Sequence, residues 1–591
     1  MKHLIICREY PPAPSGGIGT YVVHISRLLA ESGETAHVIG QIWEGAEKEV
    51  EEKYDGRLII HRVPFQDWTP LLTRKPSSRI KSKEAMGLFK SSFPPQCFAW
   101  QASLLTENLV EQEGIDIIEA QEFEAPLYFL QLRRALGLGP KRRPPCIVHL
   151  HSPMEFIARY NDWDVNHAYF QTAKRLEDYS IAAADALLCP SRYLARQIET
   201  HYGLAKESVQ VIPLPIGDNP LLDRDKDTWG QGSVLYMGRL ERRKGVLEWI
   251  DAAVAIAPDY PTVRFEFVGA NVLGIDGIRG EELVEQRIPK GLKTRFDFRG
   301  EQKRSSLPQF LAQARIAVVP SRWENFPNTC VEAMCSGLPV IASRDGGMAE
   351  MIEDGRTGWL AHKAGSEGLT EALKRALETP PERIAEMGVE ASSAIRQMCD
   401  NKKTLERHLD FRSRIVNQGP NRSLHLPVNL PWIKSPLLDS PIRQTAQKGS
   451  KEGLAIVVIC LKGGHLLDKC LQTIKQQTRK PVAVVIVGDG SVKEQTLKAL
   501  NLIHWGSWQV IRHKNRDVVS AKNAGIKAVL DSGFNPLGFV FLRVEGRLRP
   551  DFIASCESVL QRCPEVGLVS FWVHHPENDN RALIKPCPSF P

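Results

Sequence analysis

The sequence predicts an α/β protein built on parallel sheets, and two observations lead to that prediction. First, short apolar runs such as His3–Cys7 and Ile316–Val319 alternate along the chain with longer helical patterns, the order that a parallel sheet requires. Second, the stretch Pro320–Ser343 leads from one such run into the next through a loop, a short helix and the stop signals Gly337 and Pro339. Loops at the carboxyl ends of strands hold the ligands of open α/β sheets, so we expect the functional site there.

Composition narrows the class of protein. The chain has 591 residues, of which 42% are hydrophobic and 25% charged, as in an ordinary globular protein of three or four domains. Its twelve cysteines contain no Cys-x-x-Cys pair, which favours buried thiols over disulfides or a zinc site. No apolar run reaches the length of a signal peptide or a transmembrane helix, so we expect a cytoplasmic protein. The net charge of +7 favours acidic partners only weakly, and without a nucleic-acid-binding motif we expect no nucleic-acid partner.

Changes in pattern divide the chain into four segments. We expect a first α/β domain over residues 1–222 and a second over residues 223–416. Residues 417–450 are rich in proline, serine and asparagine and are interpreted as a linker. A third, shorter α/β pattern occupies residues 451–591.

A glycine-rich loop follows the first strand. Gly16, Gly17 and Gly19 precede a helix that runs to about Glu31, where glycines let backbone amides approach an anion at a helix N-terminus. A dinucleotide site would need a third glycine where Val22 stands and an acid at the end of the second strand. Both are absent, which argues against NAD; a tight turn alone remains the alternative.

Two glutamates in the central stretch are spaced Glu-x7-Glu. Glu324 belongs to the loop and Glu332 to the following helix, so both can face one crevice. The alternative is structural, because Thr329 and Glu332 also fit a capping box at the start of that helix.

Four cations follow the first strand of the second domain. Arg239, Arg242, Arg243 and Lys244 stand after the apolar run Ser233–Met237. Cations at a helix N-terminus oppose its macrodipole, so we expect an anion to compensate them.

Together these motifs resemble the retaining glycosyltransferases of family four, which have two Rossmann-like domains in the GT-B fold. The resemblance covers roughly residues 1–415. It implies that Glu332 binds the ribose of a nucleotide-sugar donor, that Glu324 holds the transferred sugar, and that Arg239 and Lys244 clamp the diphosphate. The roles of Arg242 and Arg243 stay open.

The same resemblance implies further donor contacts from both domains. His151 follows the predicted strand Cys146–Leu150 and matches a histidine that contacts the donor sugar. Gly16 and Gly17 match the glycine loop that approaches the phosphates. The loop and helix start would hold the sugar and diphosphate through Asn325, Phe326, Asn328 and Thr329.

The implied reaction moves a hexose from a nucleotide-diphosphate sugar to a glycan or lipid-linked acceptor, with retention and with no metal or other cofactor. Three rival hypotheses remain: a nucleotide-sugar epimerase, a nucleotide-binding scaffold, and a bifunctional transferase with a second active site in the tail.

A basic segment in the first domain supports two interpretations. Residues 74–90 carry six lysines and arginines against Glu84 alone. On spacing we predict a mobile, solvated loop. The other hypothesis is peripheral contact with anionic lipid headgroups at the inner membrane face.

The tail resembles the start of family-two glycosyltransferases, which have the GT-A fold. Strand and helix patterns lead from Leu454–Cys460 to a GDGS turn whose Asp489 matches an acid on the nucleotide's base side. Where that family places Asp-x-Asp for a metal, this chain has Arg543, Val544 and Glu545. We therefore expect a degenerate, partial GT-A-like module that binds a protein partner or another copy of the chain.

Overall fold

The computed structural model describes residues 1–13, 16–65, 77–135, 139–165, 167–272, 279–420, 453–460, 466–488, 507–512, 518–562, 573–574 and 582–583. The chain divides into two compact units. The first comprises Met1–Arg134, Leu138–Leu430 and Trp572–Pro591, and the second comprises Ala135–Gly137 and Pro431–Phe571. The first unit carries two large, mainly parallel sheets and the second unit carries one smaller parallel sheet, so the α/β architecture is confirmed.

The first sheet has eight strands in the order β3-β4-β2-β1-β5-β6-β7-β8. Its strands are β1 (Lys2–Ile6), β2 (Thr35–Gln41), β3 (Val50–Lys53), β4 (Leu58–Val63), β5 (Ile117–Gln121), β6 (Cys146–His149), β7 (Ala186–Cys189) and β8 (Val209–Val211). Its helices are α1 (Gly17–Glu31), α2 (Lys83–Phe89), α3 (Pro95–Gln112), α4 (Tyr128–Ala135), α5 (Met154–Tyr160), α6 (Ala168–Ala182) and α7 (Arg192–Tyr202). Every strand pair is parallel except β3 with β4. The edge strand β3 has the sequence Val-Glu-Glu-Lys. Because it contains no apolar run, it was not predicted from the sequence.

The second sheet has six parallel strands in the order β11-β10-β9-β12-β13-β14. They are β9 (Ser233–Met237), β10 (Phe265–Val268), β11 (Phe296–Phe298), β12 (Ala314–Val319), β13 (Val340–Ser343) and β14 (Gly358–Ala361). The helices are α8 (Lys226–Gln231), α9 (Val246–Ile256), α10 (Gly280–Glu285), α11 (Leu307–Gln313), α12 (Asn328–Cys335), α13 (Gly365–Glu378), α14 (Pro381–Met398) and α15 (Asn401–Gln418). The strand order reverses between β9 and β12, and open α/β sheets bind ligands at such a switch point.

The last helix of the second domain returns to the first sheet. In α15, Arg412 donates to the Glu119 carboxylate of β5 at 2.7 Å, and both side chains are 1% exposed. A second Arg412 nitrogen lies 3.1 Å from Nδ1 of His3. Removing one partner of such a buried pair leaves an uncompensated charge, so α15 is anchored to the first domain.

The basic segment does not form the mobile loop that its spacing predicted. Lys83–Phe89 form helix α2, with Ala85, Leu88 and Phe89 buried. The Ser82 hydroxyl caps the helix by accepting from the amide of Ala85. The prediction was wrong because three apolar residues sufficed to bury one face. Residues 74–76 lie outside the described residues.

The second unit holds a four-stranded parallel sheet in the order β17-β16-β15-β18. Its elements are β15 (Leu454–Cys460), α16 (Leu467–Lys475), β16 (Ala483–Gly488), β17 (Ser507–Arg512), α17 (Val518–Asp531), β18 (Gly538–Arg543) and α18 (Phe552–Arg562). Arg543 and Glu545 form an exposed ion pair at 3.3 Å, so two opposite charges occupy the positions compared with Asp-x-Asp. Asp489 lies outside the described residues.

Within the described ranges, no helix is long and apolar enough to cross a membrane.

Candidate active site

The switch point joins two loops that are far apart in the sequence. Glu324, after β12, accepts hydrogen bonds from Arg243 at 2.9 Å and from Lys244, both after β9. Burial of Glu324 favours its neutral form, but Lys244 and Arg243 outweigh burial and lower the carboxyl pKa to about 2. The crevice therefore presents an ionised carboxylate held by two cations.

The close approach of these loops depends on a glycine. Gly245 has φ +67°, and a Cβ placed on it would lie 1.8 Å from the Pro320 carbonyl oxygen. Any side chain at Gly245 would push the β9 loop away from the β12 loop. The glycine thus sets the distance over which Lys244 meets Glu324.

Arg243, whose role the sequence left open, organises the junction. The residue is 4% exposed. It donates to the carboxylate of Glu241 at 2.9 Å and to the Trp323 carbonyl at 3.4 Å, besides Glu324. Its backbone amide donates to the Asn161 side chain at 2.9 Å. The sequence feature that could have indicated this role of Arg243 is Glu241, an acidic residue two positions earlier that requires a cationic partner when it is buried.

The two predicted clamp residues differ in environment. The Arg239 side chain is 51% exposed and pairs with Glu241 at 3.1 Å. The Lys244 side chain is 17% exposed, and burial lowers its pKa although Glu324 acts in the opposite direction. Arg239 can therefore turn toward a ligand at little cost, whereas Lys244 is already held in the crevice.

Glu332 does not cap α12. The helix begins at Asn328 after Pro327 and has no side-chain cap, so the capping-box alternative is wrong: Thr329 is already inside the helix. The Glu332 side chain is 13% exposed and accepts from Arg304 at 2.8 Å. Arg304 also donates to the Thr20 hydroxyl of α1 at 3.1 Å. Sequence analysis missed Arg304, because it lies 28 positions away from Glu332.

The glycine loop faces the start of α12. Helix α1 begins at Gly17, and a Cβ placed there would lie 3.5 Å from the side-chain nitrogen of Asn328. The Gly16 amide donates to the carboxylate of Glu9 at 3.1 Å. An acid is thus already bound at this helix N-terminus, as expected for an anion-accepting position.

Asn325 and Phe326 are turned into the protein. The Asn325 side chain accepts from the Ser191 hydroxyl at 2.5 Å and donates to the carbonyls of His151 and Leu150 at 3.0 and 3.2 Å. Phe326 is 8% exposed and packs in the apolar core. Their side chains fix the loop, and Thr329 lies in the partly exposed first turn of α12.

His151 is buried at the end of β6. Its ring packs 4.2 Å from that of His149 and 5.3 Å from that of Tyr21, measured between centroids. Burial lowers the pKa of His151 well below its usual range, so the ring is neutral. Glu122, which sequence analysis missed, accepts the amides of His151 and Ser152 at 2.8 and 2.5 Å.

Three family comparisons match the chain, segment by segment. Residues 15–218 match "Glycosyltransferase Family 4", residues 224–392 match "Glycosyl transferases group 1", and residues 455–531 match "Glycosyl transferase family 2". The first two together span more than half of the chain.

Individual proteins agree with these families. A glycogen synthase of Mycobacterium tuberculosis is 24% identical over 396 residues, covering 64% of this chain and 87% of that protein. A D-inositol 3-phosphate glycosyltransferase of Nocardiopsis dassonvillei is 25% identical over 378 residues, covering 62% of this chain and 82% of that protein.

A solved structure supports the fold. The sucrose-phosphate synthase of Thermosynechococcus elongatus superimposes with a TM-score of 0.54 at 20% identity, covering 71% of this chain and all of that one. The matched families favour sugar transfer over the epimerase and scaffold hypotheses. The chain is therefore a nucleotide-sugar glycosyltransferase of the GT-B type, belonging to the family 4 and group 1 glycosyltransferases over its first two domains, with a partial family 2 domain after them.

Proposed function

We propose that the chain transfers a hexose from a nucleotide-diphosphate sugar to a glycan or lipid-linked acceptor, with retention of configuration and without a metal. The observation that carries the proposal is the ionised Glu324, held by Lys244 and Arg243 at the switch point of the donor-side sheet. The neighbouring glycine loop would approach the phosphates from the acceptor-side domain.

Fixed cations would stabilise the leaving group. Breaking the bond between sugar and phosphate develops negative charge on the diphosphate, and preorganised cations aimed at it lower the barrier. The guanidinium of Arg239 can bind two phosphate oxygens at once, and Lys244 supplies a point charge. These side chains would neutralise the charge that a dication neutralises in metal-dependent transferases, which supports a metal-independent reaction.

Two arguments support retention: the Glu-x7-Glu resemblance, and the pKa values of the groups that could act as a general base. An inverting transferase needs a general base whose pKa lies near the working pH. Glu324, with a pKa lowered to about 2, is a weak base, and burial lowers the pKa of His151. The pKa of Glu122 is raised to about 7 by burial, but this carboxyl is fully buried and already accepts the amides of His151 and Ser152. The leaving phosphate itself would then accept the proton of the acceptor hydroxyl on the face from which it departs.

A lipid-linked acceptor would bring the chain to the inner membrane face through residues 74–90. In the described part of this segment, Lys81, Lys83 and Lys90 are exposed whereas Leu88 and Phe89 are buried. The contact would therefore be electrostatic, without insertion of apolar side chains, and salt would weaken it.

Ligand binding and product analysis test the proposal. UDP-, GDP- and ADP-sugars are compared by thermal shift with the full chain, since a ligand that binds only the folded state raises the melting temperature. The sugar that stabilises is then used in transfer assays with and without EDTA, and NMR reads the anomeric configuration of the product. A metal requirement or an inverted product would overturn the finer proposal.

A further inference from the structure

The loop that carries Glu324 contacts both domains. Glu324 itself binds Arg243 and Lys244 of the second domain, and its carbonyl accepts from the Gly347 amide at 2.9 Å. The side chains of Trp323 and Asn325 bind the first domain instead, and that of Arg322 binds the first domain and also pairs with Glu248 of the second at 3.7 Å. In this loop, therefore, the Glu324 side chain faces the donor-side sheet, whereas the side chains directly before and after it face the acceptor-side domain.

Trp323 makes the most extensive of these contacts. The residue is fully buried, and its ring stacks on that of Tyr160 at 6.0 Å with an interplanar angle of 16°. It also packs against Phe156 at 5.6 Å. Its indole N–H donates to the side-chain oxygen of Gln197 in α7 at 3.1 Å. Every one of these partners belongs to the first domain.

The flanking residues reinforce the attachment. Arg322 donates to the Tyr160 carbonyl at 3.2 Å and to Asp162 at 2.8 Å. Asn325 uses both its oxygen and its nitrogen on first-domain groups. The residues directly before and after Glu324 are therefore both attached to the first domain, and consecutive Cα atoms are only 3.8 Å apart. A shift of the first domain must move the Glu324 backbone.

We infer that Trp323 is a positioning residue, which places Glu324 for the transferred sugar only when the first domain is docked against the loop. The inference rests on the proposed function. When the domains separate, the contacts of Trp323 are lost while the bonds of Arg243 and Lys244 to Glu324 stay within the second domain. An open protein would then bind the nucleotide but hold the sugar poorly, which delays cleavage until water is excluded.

The test compares Trp323→Phe, Gln197→Leu and the double variant in the full chain. Trp359→Phe is the matched control, because Trp359 is also buried, at 3% exposure, but packs in the second domain's own core. Losing the indole bond leaves the Gln197 side-chain oxygen without this donor, while the Gln197 amide nitrogen still donates to the Tyr193 hydroxyl at 3.0 Å. We expect a loss of about tenfold in kcat. Affinity for UDP, GDP or ADP should stay within about twofold of wild type, and donor hydrolysis should rise relative to transfer.

Both single variants remove the Trp323–Gln197 hydrogen bond, and Gln197→Leu also removes the bond from the Gln197 amide nitrogen to the Tyr193 hydroxyl. The losses should therefore be less than additive, and the double variant should be about as slow as the slower single variant. The control should keep the wild-type kcat and hydrolysis ratio. Nucleotide binding should change the tryptophan fluorescence of wild type and control but not of Trp323→Phe. Wild-type kcat in both single variants, or additive losses, would overturn the inference. The wild type is assayed first. If it binds none of the three nucleotides and transfers no sugar, the proposed function itself fails, and this failure is distinguished from a failure of the inference because it needs no variant.

Discussion

Replacing Arg243 by methionine tests the junction most directly. The variant keeps an unbranched side chain of similar length but leaves the carboxylates of Glu241 and Glu324 without the guanidinium that binds both at 2.9 Å. Removing one partner of a buried ion pair costs about 3–5 kcal/mol. Since Lys244 and Arg239 still pair with the two acids, we expect the lower end, about 3 kcal/mol.

The assay is thermal unfolding of the full chain, compared with Arg344→Met. Arg344 is an exposed arginine of the same domain, and such a surface substitution should change stability by less than about 0.5 kcal/mol. For a domain of this size, a loss of 3 kcal/mol should lower the melting temperature by about 6–12 °C. Arg243→Lys, which keeps the charge but not the two-pronged geometry, should fall in between.

The pH dependence gives an independent check. The pKa of Glu324 is lowered from about 4.5 to about 2 in the folded protein. A lowered carboxyl pKa contributes stability that is complete above the unfolded value and is lost as pH falls through the folded one. The difference between wild type and Arg243→Met should therefore shrink between pH 4.5 and pH 2. Equal melting temperatures at pH 7, or a difference unchanged at low pH, would refute the reasoning.

Four further predictions concern the proposed donor site, its surroundings and the tail. Lys244→Ala and Arg239→Ala should each lower kcat by about 10²–10³-fold in a transfer assay, as for one lost transition-state donor; near wild-type turnover in both would contradict the clamp. Glu332→Gln should weaken nucleotide binding in calorimetry while the melting temperature stays nearly unchanged, because Glu332 is not a cap and its ion-pair partner Arg304 is 56% exposed; unaltered affinity would end its assignment to the ribose. Burial raises the pKa of Glu122 to about 7, so the wild-type protein loses stability as pH rises from 4.5 to 7. Glu122→Gln should therefore be more stable than wild type at pH 8 but not at pH 4. The reverse trend would show that the pKa of Glu122 is not raised in the folded protein. Finally, full-length Lys244→Ala should show no residual transfer that depends on Mn²⁺, and metal-dependent turnover in that variant would make the tail a second active site.

The sequence alone indicated the strands that consist of apolar runs, and the motifs of the proposed donor site. Buried parallel strands are short apolar runs, and these need no knowledge of the partner strand. β9 and β15 accordingly occupy the ranges that their apolar residues predicted. The Glu-x7-Glu spacing and the cations after β9 were equally visible, since each is a local pattern at a strand's carboxyl end.

Tertiary structure decided which of these groups meet. The pairing of Arg243 with Glu324 spans 81 positions, and that of Arg304 with Thr20 spans 284. Neither contact could be predicted from a periodic pattern in the sequence. Such contacts depend on which loops the strand order brings to one edge of a sheet. The same holds for Trp323, whose apolar ring gave no sign of the domain against which it packs. A sequence records what each residue can bind, but only the order of the strands places the partner within reach.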